Sequence, residues 1–453
     1  MISLGLGDAA RILGGTLHGA DARFAGVGTD TRTLRPGELF FALSGPRFDA
    51  HEKLDDAVSA GAAGAVVRER RAAALAQIVV SDPRRELGTL AREWRLRFPI
   101  PVIGVTGSAG KTTAKEMIGT ILATRRRTLV THGNLNNDIG VPLTLFRLAP
   151  EHEAAVIEMG ANRAGDIALL GDIARPDVGL VTLCAPAHLE GFGDVDTVAR
   201  TKGEIYTCLP DDGVAIINQA DTYAGLWREM AAPRRVLSFG AGGDVCARDV
   251  VTGAGPTRFR LCTPAGARAV TISHRGRHNV DNALAAAAAA LAVGVDLDDI
   301  VAGLAAAAPV AGRLVVHEIG ARLTLIDDSY NANPAALAAA IAVLAEYAGA
   351  KWLVLGDMGE LGAAAERYHA EAGAAARAAG VERLFGLGAL AGHAVRAFGP
   401  AGAHFDDIAS LIDALHEAVA AASTGVTLLV KGSRSMGLER VVADLTSAEG
   451  ASC

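Results

Sequence analysis

Gly104-Val105-Thr106-Gly107-Ser108-Ala109-Gly110-Lys111-Thr112-Thr113 is the stretch on which the reading of the fold turns. A short apolar strand, Val102-Ile103-Gly104-Val105, runs into it. A helix leaves it from about Lys111, with Ala114, Met117, Ile118, Ile121 and Leu122 on one face at helical spacing. Glycines between such a strand and helix let backbone N–H groups turn inward toward phosphate oxygens, and the helix N-terminus adds positive potential. In that setting Lys111 supplies a mobile charge for the β- and γ-phosphates, and the Thr112 hydroxyl can hold magnesium. Gly107, Ser108, Ala109, Gly110 and Thr113 complete the candidate nucleotide loop. One position departs from the usual spacing. Val105 stands where a glycine is standard, so the run reads G-x-x-G-x-x-G-K-T.

Working outward, strands alternate with helical stretches: Ala155-Val156-Ile157, Gly179-Leu180-Val181-Thr182-Leu183 and Val214-Ala215-Ile216-Ile217. Such alternation predicts an α/β fold with a parallel sheet covered on both faces. Open sheets of this kind bind ligands at the carboxyl ends of their strands. Glu158 sits at one such end and can give magnesium a carboxylate. His188, in a glycine-bracketed loop beyond the next strand, reads evenly as a ligand or a structural histidine. Lys202, in Thr201-Lys202-Gly203-Glu204, reads from spacing alone as a surface lysine. Asn279 and Asn282, three residues apart at a helix start, can meet a purine edge or cap the helix. Arg313 can clamp phosphate across a cleft or form an interdomain salt bridge. Asp327 and Asp328 end a strand, while Asn333 and Pro334 suit the start of the following helix.

Further out, the prolines of Arg97-Phe98-Pro99-Ile100-Pro101 mark a linker. Before it lies a small α/β region whose clearest strand is Leu39-Phe40-Phe41-Ala42-Leu43, ending at Ser44-Gly45-Pro46. From Arg313 a third set follows, with strands at 323–326, 352–355, 384–386 and 427–430, ordered as in a Rossmann-like open sheet. The expected domains are 1–98, 99–312 and 313–453. That is three in 453 residues, an ordinary division for this length. A net charge of −7 disfavours nucleic acid as a partner. Cys184, Cys208, Cys246, Cys262 and Cys453 form no C-x-x-C pair, which suits a reducing, cytoplasmic setting. No signal-peptide layout is present at the N-terminus, and the apolar run from Ala283 to Val295 is shorter than the ~20 residues a membrane span needs.

Several longer blocks resemble the Mur ligase family, in that family's order. They are Thr29-Asp30-Thr31-Arg32, Arg47-Phe48-Asp49-Ala50-His51, Gly133-Asn134-Leu135-Asn136-Asn137-Asp138-Ile139-Gly140, Glu158-Met159-Gly160-Ala161-Asn162, Asp328-Ser329-Tyr330-Asn331-Ala332-Asn333-Pro334, Gly356-Asp357-Met358-Gly359-Glu360-Leu361-Gly362 and Val430-Lys431-Gly432-Ser433-Arg434. The likeness covers nearly the whole chain and is nearest to the family's dipeptide-adding member. It implies a UDP-sugar-binding domain, a P-loop ATPase domain and a mobile C-terminal domain. It implies ATP, two magnesium ions, and the substrates UDP-N-acetylmuramoyl-tripeptide and D-alanyl-D-alanine, in peptidoglycan precursor synthesis by a monomer.

The resemblance also assigns roles. Lys111 and Thr112 would serve the phosphates and the first magnesium, with Glu158 and His188 helping to hold the metals. Lys202 aligns with a carbamylated lysine of the family, against the surface reading. Asn282 would contact the nucleotide, Arg313 the γ-phosphate and Asp328 the ribose. Asp30, Thr31, Arg32, Ser44, Arg47 and His51 would line the UDP-sugar site, and Asn134, Asn136, Asn137, Asn331 and Asp357 complete the expected substrate contacts. Asp166 and Asp194 depart from the family blocks, outside the metal and phosphate set. The Asp-Asn-Pro-Arg motif of the diamino-acid-adding relative is missing. On the residues alone, a nucleotide-gated scaffold is the alternative to an enzyme.

Overall fold

A computed structural model describes residues 1–46 and 48–447. Three sheets organise it. The first has strands β1 (Thr16–His18), β2 (Val27–Gly28), β3 (Leu39–Phe41), β4 (Gly64–Val67) and β5 (Gln77–Val79). Their order is β1-β5-β4-β3-β2, with β2 to β5 parallel and β1 antiparallel. Helix α1 (Pro83–Arg95) follows, started by the Asp82 carboxylate, which accepts from the N–H groups of Arg84 and Arg85.

The second sheet contains β6 (Val102–Thr106), β7 (Thr128–Val130), β8 (Ala154–Glu158), β9 (Val178–Val181), β10 (Val214–Asn218) and β11 (Arg235–Phe239). The order is β7-β8-β6-β9-β10-β11, parallel throughout. The glycine-rich loop joins β6 to α2 (Lys111–Ala123). Side chains of these strands alternate between two cores. Ile103, Val105, Val156, Leu180 and Ile216 pack with Met117, Ile118 and Ile121 of α2 on one face. Val102, Ala155, Ile157, Val181 and Ile217 pack on the other with Leu87, Leu90 and Trp94 of α1 and Ile205 and Tyr206 of α3 (Val195–Thr207). This period-2 split is what a sheet buried on both faces requires. The second core runs on into the first sheet, taking in Leu39, Phe41, Val66 and Ile78.

Between 97 and 101 the chain is irregular, as its prolines dictate, but it is tied down. The buried Arg95 donates to the carbonyls of Phe98, Ile100 and Ala174. A three-stranded antiparallel sheet, β12 (Cys246–Val251), β13 (Thr257–Thr263) and β14 (Gly266–Ile272), was not expected from the sequence. In β13, Thr257, Phe259 and Leu261 point inward and Arg258 and Arg260 outward. The alternation that marks a half-buried strand is therefore present in the sequence. Helix α4 (Arg277–Ala292) carries the alanine-rich run into the core under α2.

The third sheet has the order β15-β16-β20-β17-β18-β19, built from β15 (Val315–Ile319), β16 (Leu323–Asp328), β17 (Ala350–Gly356), β18 (Arg383–Leu387), β19 (Gly402–Phe405) and β20 (Val426–Lys431). All pairs are parallel except β15 with β16, an antiparallel edge added to the open sheet. Helix α5 (Pro334–Ala345) follows β16, with Asn333 as its cap. Strand limits shift by a residue or two from the sequence reading. Glu158 and Asp328 are the last residues of their strands, and the strand beginning at Leu39 stops at Phe41. No described helix is long and apolar enough to cross a membrane.

Candidate active site

The glycine-rich loop forms one wall of a cavity between the second and third sheets. Gly107 and Gly110 have φ of 145° and 79°, and a side chain at either would run into Thr182 or Asn282. Glycine is needed at both positions for space and for backbone freedom. Ser108 fixes the loop to the next strand: its hydroxyl donates to the Ala185 carbonyl (2.9 Å) and accepts from the Ala185 N–H (3.0 Å). Lys111 Nζ donates to the Gly107 carbonyl at 2.7 Å, within the loop that would cradle phosphate. Burial lowers the Lys111 pKa, and Arg313 adds to the shift while Glu158 opposes it.

Opposite the loop stand Arg313, Asp328, Tyr330, Asn331, Asn333 and Lys431. The Arg313 guanidinium lies over the Tyr330 ring, 4.5 Å from its centroid, and donates to the Thr112 hydroxyl at 2.9 Å. Its Nε is buried without a partner among the described residues, and it forms no carboxylate pair there. The interdomain salt bridge is therefore not formed among the described residues, and the guanidinium faces the cavity beside the phosphate loop. Asp328 ion-pairs with Lys431 at 2.6 Å, because β16 and β20 set the two residues side by side. Burial pushes the Asp328 carboxyl up, and Lys431 and Arg313 pull it back. The amide of Asn333 crosses to the loop, donating to the Ser108 carbonyl (3.3 Å), while its oxygen caps α5.

Asn279 and Asn282 line the same cavity. Neither caps α4, whose cap residue Gly276 has no side chain to offer. Asn282 donates to the Asn279 side-chain oxygen (2.9 Å), and Asn279 donates to the Arg275 carbonyl (2.8 Å). The capping reading is thereby set aside, and the pair is pre-ordered beside a half-buried His278.

Glu158 ends β8, His188 lies in the loop after β9, and Lys202 sits within α3. Glu158 is buried. Its Oε1 accepts from Asn136 (2.8 Å), and Oε2 has no hydrogen-bond partner among the described residues, with Lys115 Nζ at 3.8 Å. Lys115 itself is fully buried and donates to the Thr131 carbonyl at 2.8 Å. Lys202 is not the surface residue its spacing suggested. It is 2% exposed and lies against the Phe192 ring. Burial first, and Lys111 second, bring its pKa down to about 7. His188 has a left-handed backbone, φ 53°, and pairs with Glu360 from the third sheet. Burial lowers the His188 pKa, Glu360 opposes the shift, and Lys111 and Lys202 add to it.

The described members of the expected UDP-sugar set do not line this cavity; they follow β2 and β3. Asp30 is held by Arg32 through a two-point contact, and the Arg32 bond brings its carboxyl down to about 2. Thr31 stands between them. Asp49 accepts from Ser44 (2.7 Å) and from His51 Nδ1 (2.6 Å), and both lower its pKa, Ser44 most. His51 Nε2 accepts from the Arg68 N–H, which fixes the ring. Arg47 lies outside the described residues. Asn134 is exposed, and Asn137 binds the N–H groups of Ile139 and Gly140. Asn331 lies with the nucleotide cavity instead, and Asp357 accepts from the Ala391 N–H on the third sheet. The sequence reading gave Lys115, Lys431, His278 and Glu360 no role. Only Lys431 carried a signal, as a lone charge ending an apolar strand.

Residues 105–290 match the Mur ligase middle domain and residues 312–434 the Mur ligase glutamate ligase domain. The chain is 45% identical over 445 residues to UDP-N-acetylmuramoyl-tripeptide–D-alanyl-D-alanine ligase of Escherichia coli strain K12, covering 98% of each. The Bacillus subtilis strain 168 protein of the same name is 36% identical, with 93% of each chain covered. The crystal structure of MurF from Acinetobacter baumannii superposes with a TM-score of 0.95 at 37% identity over 99% of each chain. A MurF ligase from Thermotoga maritima in complex with ADP gives 0.83 at 29% identity, covering 93% of this chain and 97% of that one. The fold, the phosphate loop and full-length likeness at this level together place the chain in the Mur ligase family.

Proposed function

We propose that this chain joins D-alanyl-D-alanine to UDP-N-acetylmuramoyl-tripeptide at the expense of ATP, through an acyl phosphate. The observation that carries the reading is the placement of Lys111 and Arg313 on opposite walls of one cavity at the phosphate loop, with Arg313 donating to the Thr112 hydroxyl. A peptide carboxylate attacking a γ-phosphate must overcome repulsion between anions. Lys111 and Arg313 are placed to offset it, so catalysis is mainly positioning and electrostatics. The carboxylate oxygen bonds to phosphorus and ADP leaves. The dipeptide amine then attacks the acyl carbon, and phosphate departs. Asn279 and Asn282 would meet the purine and Asp328 the ribose.

The residues present fit magnesium. No three His, Cys, Asp or Glu side chains cluster as a metal site among the described residues. Magnesium, however, usually takes one or two carboxylates and fills its shell with phosphate and water. Thr112, Glu158 Oε2 and His188 would hold it, and when bound it supplies charge neutralisation across the transferred phosphate. An amine titrating near 7 is substantially unprotonated at neutral pH, the form that adds carbon dioxide with loss of one proton. Lys202 could thus become a carbamate and a second carboxylate for the metal. Residues 1–98 would hold the UDP-sugar through Asp30, Thr31, Arg32, Ser44, Arg47 and His51. Residues 99–312 would hold ATP, and 313–453 would close over it, excluding water from the acyl phosphate. A need for ATP fits a cytoplasmic reaction.

Phosphate release from ATP is the test, with the tripeptide substrate, with and without D-alanyl-D-alanine, and with mass detection of the product. Release that needs both, with a UDP-muramoyl-pentapeptide product, is expected. ATP binding without release from this pair would defeat the reading.

A further inference from the structure

The second half of this reaction needs an amine, yet the site is built for anions. Lys111 and Arg313 line the cavity at the phosphate loop, where Arg313 donates to the Thr112 hydroxyl at 2.9 Å. An α-amino group arrives at neutral pH largely as an ammonium, and these cations repel it. A carboxylate on the acceptor side of the cleft would remove that barrier.

Among the described ion pairs, only one joins residues 99–312 to the third sheet, and it is His188 with Glu360. Glu360 lies in the loop after β17 with φ 62°, left-handed backbone that a glutamate rarely adopts. His188 opposite it is left-handed too, and the Glu360 carbonyl accepts from the Glu190 N–H at 3.3 Å. Two unfavourable backbone conformations are thus held where the two units meet, and they set a carboxylate against His188, whose ring also lies within reach of the Lys111 charge. The Glu360 side chain is 59% exposed. A group serving only to prop His188 gains nothing from that opening, whereas a docking group for a diffusing molecule needs it.

We infer that Glu360 receives the ammonium of the acceptor dipeptide and steers it to the acyl carbon, an assignment that rests on the ligation reading above. As the N–C bond forms, the C–O bond to phosphate breaks. Before attack, the docked ammonium gives one proton to water along the exposed side of the carboxylate, which frees the nitrogen lone pair, and the second proton leaves with the phosphate.

Hydroxylamine supplies the control, since it is uncharged at neutral pH and captures acyl phosphates as hydroxamates without an ammonium to dock. In Glu360→Gln, tripeptide-dependent hydroxamate formation with ATP should stay within about threefold of the unmodified enzyme. kcat/KM for the dipeptide should fall by roughly 30-fold or more, chiefly through KM, as expected for loss of a bond to a charged group. Glu360→Asp, which keeps the charge on a shorter arm, should recover part of the dipeptide affinity. Parallel loss of hydroxamate formation and ligation would overturn the assignment and leave Glu360 as a support for His188. So would an unchanged dipeptide KM, or equal losses in the Asp and Gln variants. An unmodified enzyme that forms neither product would overturn the ligation reading, and this assignment with it.

Discussion

The two junctions of this molecule are made of different material. Where the first sheet meets the second, a single hydrophobic core runs across, from Leu39, Phe41 and Ile78 through Trp94 to Ala155 and Ile157. Trp94 adds a hydrogen bond to the Leu148 carbonyl at 3.2 Å. Where the second sheet meets the third, no core cluster crosses among the described residues. The contacts there are polar: Arg313 on Thr112, Asn333 on Ser108, Glu360 on His188, and Thr252 on Glu346. Apolar burial resists separation at one junction, while the polar contacts at the other exchange more readily with water. The nucleotide cavity lies at the second junction, where substrates must enter and water must be shut out.

Variants can break this contrast. Lys111→Ala at the polar junction should cost about 10³-fold or more in turnover, with thermal stability nearly unchanged. Steady-state kinetics beside a melting curve checks it, and near-normal turnover in a folded variant would refute the role of Lys111. Trp94→Ala at the apolar junction should do the opposite, costing about 3–4 kcal/mol of stability in denaturant unfolding. A loss below about 1 kcal/mol would mean that the shared core does not bind the two units.

Lys202→Ala should lower turnover about 100-fold and be partly rescued by added short carboxylates, if a carbamate acts there. Full activity without rescue would remove Lys202 from the mechanism. The same lysine gives a signed pH effect in the ligand-free, unmodified protein. Its pKa is brought from 10.5 to about 7 in the folded state, so the unfolded chain binds more protons between those values. Its contribution to stability therefore rises with pH across that window, and the slope should shrink in Lys202→Met.

The smallest effect concerns His274, buried with neither ring nitrogen partnered among the described residues. Burial brings its pKa from 6.5 to about 4. Stability from the neutral ring is present above 6.5 and is lost as pH falls toward 4. His274→Phe should stay within about 0.5 kcal/mol at pH 7 and flatten that acid limb in unfolding curves. An unaltered limb would count against the assignment.

Legibility in the sequence follows the same contrast. The strand, glycine turn and helix around Lys111 are contiguous, so periodicity and glycine placement reveal them. Glu158 and Asp328 were legible because each ends an apolar strand. Lys202 was not, since its burial comes from the packing of α3 against the sheet and the Phe192 ring, and nothing in its local spacing distinguishes it from a surface lysine. Glu360 was missed for a related reason: its partner, His188, belongs to another unit. The core shared across the first junction was hidden by the prolines between Arg97 and Pro101, which suggested a slack linker where Arg95 in fact knots the chain. The β12–β14 sheet was readable from the alternation in β13.

The most direct measurement follows oxygen. With ¹⁸O in the reacting carboxylate of the tripeptide substrate, attack on the γ-phosphate must carry one labelled oxygen into the released phosphate. Labelled phosphate, formed with the pentapeptide product, is what this account predicts. Unlabelled phosphate accompanying the same product would contradict the acyl phosphate, and with it the role given to the cations around Lys111.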